Sequence, residues 1–79
     1  MQDEAQDIVV DARGHRCPVP TLKLRRALER ASAGAVVRLL ADDPMARIDV
    51  PHFAGQVGAT VLAAGEADGA LRFRVRKGG

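Results

Sequence analysis

The chain contains one cysteine, Cys17, and the residues around it favour a reactive thiol. Cys17 stands in residues 15–20, HRCPVP, where a loop is predicted to turn into a helix. Free backbone N–H groups at a helix start, and the positive end of the helix dipole, favour a thiolate over a thiol. Pro18 suits the first helical position and Pro20 the first turn, because no N–H is required there. We therefore interpret Cys17 as the helix N-cap and as a nucleophile.

The neighbours of Cys17 supply charge more readily than hydrogen bonds. Since both prolines lack an N–H, the donor expected nearest the sulfur is the N–H of Val19. A lone cysteine is most often a small buried hydrophobic residue. His15, Arg16 and Lys23 are polar or charged neighbours that favour an exposed Cys17 instead. His15 is either a proton shuttle for the thiol or a solvated loop residue, and the sequence leaves both open.

The absence of a second cysteine limits the chemistry of this thiol. No internal disulfide can form, so the covalent state of Cys17 is a mixed disulfide with a partner, a persulfide, an adduct, or a bond to metal or haem. Cys17 with His15 and His52 matches none of the usual zinc-ligand spacings, so we expect no metal. We also expect no resident cofactor.

Length and charge restrict the class of protein. Seventy-nine residues with a net charge of +2 suit one domain, predicted over residues 8–77, with a flexible segment 1–7 and a mobile tail 78–79. No hydrophobic run approaches the roughly 18 residues of a membrane span, and the acidic first residues do not resemble a signal peptide, so we expect a cytoplasmic protein. Two Phe and no Trp or Tyr provide no row of stacking platforms, so we expect no direct nucleic-acid binding.

The pattern of apolar residues predicts the element order β-α-β-α-β-β. Asp43 is expected to cap a turn at Pro44, and Pro51 to prevent one continuous helix, with a new helix capped by Asp49 and closed at Gly58. This order predicts a two-layer α/β sandwich, a mixed four-stranded sheet with both helices on one face. The predicted strands are residues 6–11, 35–41, 60–66 and 71–76, and the first helix is residues 18–32 with Gly34 as its stop.

Two basic surfaces are visible in the sequence. Lys23, Arg26 and Arg30 share one face of the first helix, which is either a solvated surface or a partner-docking surface. The last strand alternates apolar residues with arginines. The arginine stripe, Arg72 with Arg74 and Arg76, either protects a sheet edge or docks an acidic partner or an RNA backbone.

Four motifs in order give the chain a family resemblance. Residues 11–20, DARGHRCPVP, are similar to the opening D-x-x-G-x-x-C-P-x-P of the TusA (SirA-like) sulfur carriers. The other three motifs are residues 41–44, residues 49–51 and the closing residues 76–79. The resemblance covers nearly everything from Val10 onward.

The resemblance implies a function and a fold. Cys17 would accept sulfane sulfur as a persulfide from a cysteine desulfurase or a rhodanese-type donor and relay it to a downstream acceptor protein. Family members serve tRNA thiolation, molybdenum cofactor supply or sulfur oxidation. Their fold is similar to the C-terminal domain of bacterial translation initiation factor three. Asp42 and Asp43 match the family's acidic pair, which either caps the second helical region or contacts partners.

We therefore predict a monomeric carrier, a sulfurtransferase by chemistry that has no substrate pocket of its own. One alternative is a regulatory or interaction module that binds RNA or an acidic protein through its basic face, with Cys17 incidental. A further alternative is haem ligation by Cys17 next to Pro18.

Overall fold

The computed structural model describes residues 7–16 and 18–78, which form the predicted β-α-β-α-β-β order. The fold class predicted from the sequence is thereby confirmed. The strands are β1 (Ile8–Asp11), β2 (Val36–Ala41), β3 (Thr60–Ala67) and β4 (Ala70–Arg76), and the helices are α1 (Val19–Arg30) and α2 (Ala46–Gln56).

The four strands form one mixed sheet in the order β1-β2-β4-β3. β1 pairs with β2 in parallel, whereas β4 pairs antiparallel with both β2 and β3. β2 and β4 are therefore the two central strands. Alternation along them sends one set of side chains into the core and leaves the other set on the opposite face.

The core lies between this sheet and the two helices. α1 buries one stripe at a four-residue spacing, Pro20, Leu24 and Leu28. α2 buries a second stripe with the same spacing, namely Ala46, Val50 and Ala54. The central strands contribute buried side chains to the same cluster: Val37, Leu39, Ala41, Leu71, Phe73 and Val75.

The ends of α1 differ from the prediction. The N-cap is Pro18, not Cys17, because Pro18 has a non-helical ψ of 11° while its carbonyl already accepts the N–H of Leu22 at 2.9 Å. Pro20 lies in the first turn as expected. The helix ends at Arg30, before Ser32, because Ala31 is extended. Gly34 belongs to the turn that follows, with φ +85°.

α2 is continuous through Pro51, and the predicted break before a separate helix capped by Asp49 is wrong. Proline removes one helical N–H bond, but Pro51 is exposed, so the loss falls on the solvent side of the helix. The buried stripe on the opposite side includes Val50 and Ala54, and its packing outweighs that local cost. The helix ends at Gln56, and Gly58, which was predicted to close it, follows two residues later with φ +73°; the N–H of Ala59 donates to the carbonyl of Ala54 at 2.9 Å.

β4 does not lie at an edge of the sheet, so the edge-protecting interpretation of its arginines is wrong. The preceding hairpin matches the prediction, since Asp68 and Gly69 both have positive φ, 54° and 78°, as a type I′ turn requires. After β4, the N–H of Lys77 donates to the carbonyl of Ala35 at 2.8 Å, which ties the chain to the sheet as far as residue 77. The mobility of residues 78–79 stays a prediction.

Across residues 7–16 and 18–78, neither helix combines the length and apolar character that crossing a bilayer demands.

Candidate functional site

The candidate site is the loop between β1 and α1, which carries the only cysteine. Cys17 itself lies outside the described residues, so its exposure and its protonation state stay predictions. The residues on either side, Arg16 and Pro18, are described, and both are exposed. His15 is exposed as well, whereas Pro20 is buried and fixes the start of α1 against the core.

The loop leaves the sheet through a buried alanine. The side chain of Ala12 is fully buried, and its N–H donates to the carbonyl of Leu40 at 2.8 Å, extending the pairing of β1 with β2. The carbonyl of Ala12 then accepts the N–H of His15 at 3.3 Å, which closes a tight turn. The beginning of the loop is therefore fixed by the same packing that holds the sheet together.

A carboxylate from the second motif holds the middle of the loop. The N–H of Gly14 donates to both oxygens of Asp42, at 3.1 Å to Oδ1 and 2.9 Å to Oδ2. Gly14 has φ +84°, a conformation that glycine adopts without strain. The prediction that Asp42 caps the second helical region is wrong, because its carboxylate is engaged by the loop 28 residues earlier.

Asp43 has the capping role that was predicted for it. Its Oδ1 accepts the N–H of Met45 at 3.0 Å, and its carbonyl accepts the N–H of Ala46 at 2.9 Å. These bonds order the turn that leads into α2. The two adjacent carboxylates thus serve two different segments.

An exposed ion pair braces the start of the loop. The guanidinium of Arg13 donates to Asp11 through Nε at 2.9 Å and Nη2 at 2.8 Å, and the Arg13 N–H donates to Oδ1 at 3.1 Å. The side-chain hydrogen bonds from Arg13 lower the pKa of the Asp11 carboxyl well below its usual range. Asp11 is therefore charged throughout the physiological pH range.

The donor expected nearest the sulfur is not free. The N–H of Val19 donates to the carbonyl of Arg16 at 2.9 Å, so the prediction that it supports a thiolate is wrong. The bond closes a turn before the helix, which satisfies an N–H that would otherwise be an unpaired helix-start donor. The charge of nearby cations, with Arg16 the nearest in sequence, remains as the support for a thiolate.

The loop and the second motif border one cleft. It has a volume of about 420 Å³ and lies between the two segments. His15 and Arg16 line one side, while Asp42 and Asp43 line the other. Residues almost thirty positions apart in sequence therefore meet at this loop, where the cationic Arg16 shares a cleft with two carboxylates.

The predicted basic face of α1 borders a second groove, of about 500 Å³, between α1 and β1. Lys23, Arg26 and Arg30 line it together with Asp11 and with apolar residues that include Leu22, which is exposed. None of these three cations forms an ion pair with an acidic residue in the described part of the chain, in contrast to Arg25, which pairs with Glu29 at 3.2 Å. Their charge is available to a partner.

The sequence analysis missed the positioning roles of two residues, one of which, Asp42, it had assigned to capping or to partner contact. Asp42 holds Gly14, and Asp11 holds Arg13. The signal that could have found the first is the glycine of the opening motif, since a glycine required for positive φ presents its N–H in a fixed direction. No local signal indicates which distant carboxylate receives that N–H.

The β-α-β-α-β-β order and the loop between β1 and α1 define a small α/β domain with a single cysteine in its sequence, and three comparisons agree on its family. The family described as "Sulfurtransferase TusA" matches residues 8–77, so the chain belongs to the TusA family. It is 34% identical over 77 residues to a sulfur carrier protein TusA of Pseudomonas putida, covering 98% of this chain and 96% of that one.

An archaeal relative and a solved structure extend the comparison. The chain is 37% identical over 68 residues to a putative sulfur carrier protein of Archaeoglobus fulgidus, covering 85% of this chain and 88% of that one. The crystal structure of a SirA-like protein from Desulfitobacterium hafniense has the same fold, with a TM-score of 0.79 and 31% identity. That alignment covers 91% of this chain and 99% of the other.

Proposed function

We propose that this chain carries sulfur as a persulfide on Cys17, which it accepts from a desulfurase-type or rhodanese-type donor and relays to an acceptor protein. The observation that carries the proposal is the loop geometry in a member of the TusA family. A backbone fixed by Ala12 and Gly14 leads to a single cysteine between two exposed residues. The relatives named sulfur carriers support the same role.

Each transfer in this proposal exchanges one S–S bond for another. The Cys17 thiolate attacks the outer sulfur of the donor persulfide; a new S–S bond forms on Cys17, the donor bond breaks, and the donor leaves as a thiolate. An acceptor thiolate then attacks the outer sulfur of the Cys17 persulfide. The S–S bond forms on the acceptor, the S–S bond on Cys17 breaks, and Cys17 is released as a thiolate. No net oxidation or reduction occurs, so the relay requires no cofactor in this chain, and the sulfur atom is cargo.

The cysteine content suits a carrier that must keep its cargo until an acceptor arrives. A second thiol in the same chain could attack the persulfide, releasing sulfide and leaving an internal disulfide. The sequence has no second cysteine, so this route is closed. Loss of sulfur then requires a thiol from another molecule.

The free cations of α1 give the proposal a route for partner docking. Lys23, Arg26 and Arg30 form no ion pairs with described acidic residues and line the groove next to β1. An acidic donor or acceptor surface would approach along this groove, and Arg16, the residue before Cys17 in the sequence, would add a further positive charge. Asp42 is held by Gly14, so its part in docking is to shape the loop.

The proposal is tested by loading the intact protein. We expect incubation with a cysteine desulfurase, its pyridoxal phosphate cofactor and cysteine to add one sulfur to the intact mass. Treatment with a reductant should remove it. The Cys17→Ser variant should gain nothing while unfolding at the same urea concentration as the parent protein.

A matched pair of variants tests the docking surface. Arg26→Glu/Arg30→Glu should slow loading at low salt, whereas Arg25→Glu/Arg47→Glu, which changes the net charge equally at exposed sites outside the groove, should change the rate little. An unchanged mass against both desulfurase and rhodanese-type donors would contradict the carrier proposal.

A further inference from the structure

The arginine stripe of β4 has no role in the function proposed above. Because β4 pairs with a strand on each side, these arginines lie in the middle of the sheet. Phe73 and Val75 point into the core, so the arginines that alternate with them project from the face that no helix covers. Arg38 of β2 joins them, since it is the register partner of Arg74. We call Arg38, Arg72, Arg74 and Arg76 the arginine face.

A carboxylate already sits on the centre of the arginine face. Oδ2 of Asp7 lies 3.3 Å from Nε of Arg38 and 3.3 Å from Nη2 of Arg74, and the Asp7 side chain is only 9% exposed. One negative charge therefore offsets two cations that lie side by side. The Nε of Arg74 is buried and has no hydrogen-bond partner among the described residues, so this pair of guanidiniums retains an unused donor.

The two outer arginines are less neutralised than the central pair. Arg72 approaches Asp68 at 3.7 Å, but that carboxylate is 92% exposed and screened by water. Arg76 has no ion pair with any acidic residue in the described ranges. Positive charge therefore remains at both ends of the face, and it is least offset at Arg76.

A groove lined by Arg38, Arg72 and Arg74, with Arg76 outside its lining, provides room for a ligand backbone. It has a volume of about 460 Å³. Its floor includes Val9, Leu40, Ala63 and Gly65, which are apolar or small. Ala63 and Gly65 are the register partners of Arg74 and Arg72, so the neighbouring strand leaves open space where larger side chains would stand.

We propose that the arginine face docks an extended, acidic polypeptide segment of a partner protein. Arginines at alternate positions of a strand are roughly 7 Å apart, which is also the repeat of alternate side chains in an extended peptide. A segment with acidic residues at every second position would place carboxylates on Arg72 and Arg76 at the two ends. At the centre it would compete with Asp7 for Arg38 and Arg74.

A carboxylate ligand fits this surface better than a nucleic acid. The contact that the face already makes is to a carboxylate, Asp7, shared by two guanidiniums. Single-stranded nucleic acids bind through base stacking on aromatic rings as well as through phosphates. Phe73 is buried in the core and Phe53 packs against it, so neither phenylalanine offers a ring to this face.

The test uses the full chain and a peptide of alternating glutamate and threonine, titrated at low salt and followed by amide chemical shifts. We expect shifts on the arginine face and at Val9 and Leu40 in the groove beside it, and a loss of binding as salt is added. Arg72→Glu/Arg76→Glu should weaken binding by about tenfold or more. Asp7→Asn, which removes the internal competitor, should tighten it several-fold.

Three controls make the outcome decisive. Arg25→Glu/Arg47→Glu changes the net charge equally at exposed sites away from the face, and should leave peptide binding within about twofold. If the charge-reversal variant Arg72→Glu/Arg76→Glu unfolds, the neutral variant Arg72→Gln/Arg76→Gln takes its place. A peptide of alternating lysine and threonine should not bind.

Equal binding by the reversal and control variants would overturn the proposal. So would peptide-induced shifts confined to the helix side, or binding of a poly-uridine RNA with no binding of the acidic peptide. Sulfur loading of Cys17 is measured separately, so failure here and failure of the carrier function are distinguishable.

Discussion

The cysteine-bearing loop and the arginine face are both exposed and charged, but their carboxylates have different roles. Asp42 accepts a backbone N–H from Gly14, so it determines the path of the loop. Asp7 accepts from two side chains, Arg38 and Arg74, whose backbone is already fixed by strand pairing. Replacing the first carboxylate should change the path of the loop, whereas replacing the second should change the charge of the arginine face and leave the strand backbone in place.

The largest loss of stability should come from a change in the hydrophobic core that supports both regions. Leu24→Ala removes a fully buried side chain of α1 and should lower the free energy of unfolding by about 2–5 kcal/mol, measured by urea unfolding and circular dichroism. Sulfur loading and acidic-peptide binding should then fall together, as the folded fraction falls. Leu22→Ala, on the same helix but 55% exposed, should stay within about 0.5 kcal/mol. Similar losses in both variants would contradict the assigned core.

Gly14→Ala should affect the loop and spare the sheet. A Cβ at Gly14 meets no atom within 4 Å, so the cost is that of placing alanine at φ +84°, about 1–2 kcal/mol. Sulfur loading should slow while binding of the acidic peptide is unchanged. Gly55→Ala is the matched control in α2, where a Cβ also has open space and the added helix propensity should raise stability by about 0.5–1 kcal/mol. Equal effects of the two changes would show that the left-handed backbone is not required.

Asp42→Asn sharpens the comparison with a smaller change. Asparagine keeps one oxygen for the Gly14 N–H but loses the charge, so we expect a loss of about 1 kcal/mol in unfolding free energy and slower sulfur loading. Asp68→Asn, at an almost fully exposed site, should be neutral. If Asp42→Asn weakens acidic-peptide binding as strongly as sulfur loading, the two regions are coupled and the separation fails.

The smallest expected effect on stability is that of the exposed Asp11–Arg13 ion pair. Because the folded-state pKa of Asp11 lies below its value in the unfolded chain, the pair stabilises the fold above pH about 4 and loses that contribution as the pH falls further. Carboxyl NMR should give Asp11 a midpoint below the ordinary value of about 3.9, and Arg13→Gln should return it towards that value. A midpoint unaffected by Arg13→Gln would show that the contact does not persist in solution.

Local sequence signals predicted most of the fold. The alternation in β4, the Asp-Gly turn before it and the glycine after α2 each depend on neighbouring residues alone, and all three are confirmed. Pro51 misled the prediction because proline propensity is local, while the buried stripe containing Val50 depends on tertiary packing. The position of β4 within the sheet is likewise set by strand order, which alternation does not reveal.

The site was less predictable because its contacts cross the chain. The composition and the loop motif indicated Cys17 and its charged neighbours. The pairing of Gly14 with Asp42 joins residues 28 positions apart, and the turn that occupies the Val19 N–H follows from the geometry before α1. Neither could be deduced from helix-start rules. The acidic pair was recognised in the sequence. Only the structure shows that Asp42 binds the loop and that Asp43 caps the turn before α2.

The central claim is that one sulfur atom enters and leaves through Cys17. The most direct test loads the protein with isotope-labelled sulfur through a desulfurase, removes the donor, and then adds a small acceptor thiol. We predict that peptide mapping finds the label on the fragment containing Cys17 as a persulfide, and that the acceptor takes the label as its own persulfide while Cys17 returns to a free thiol. Label found elsewhere in the chain, or label on Cys17 that no thiol can discharge, would contradict the account.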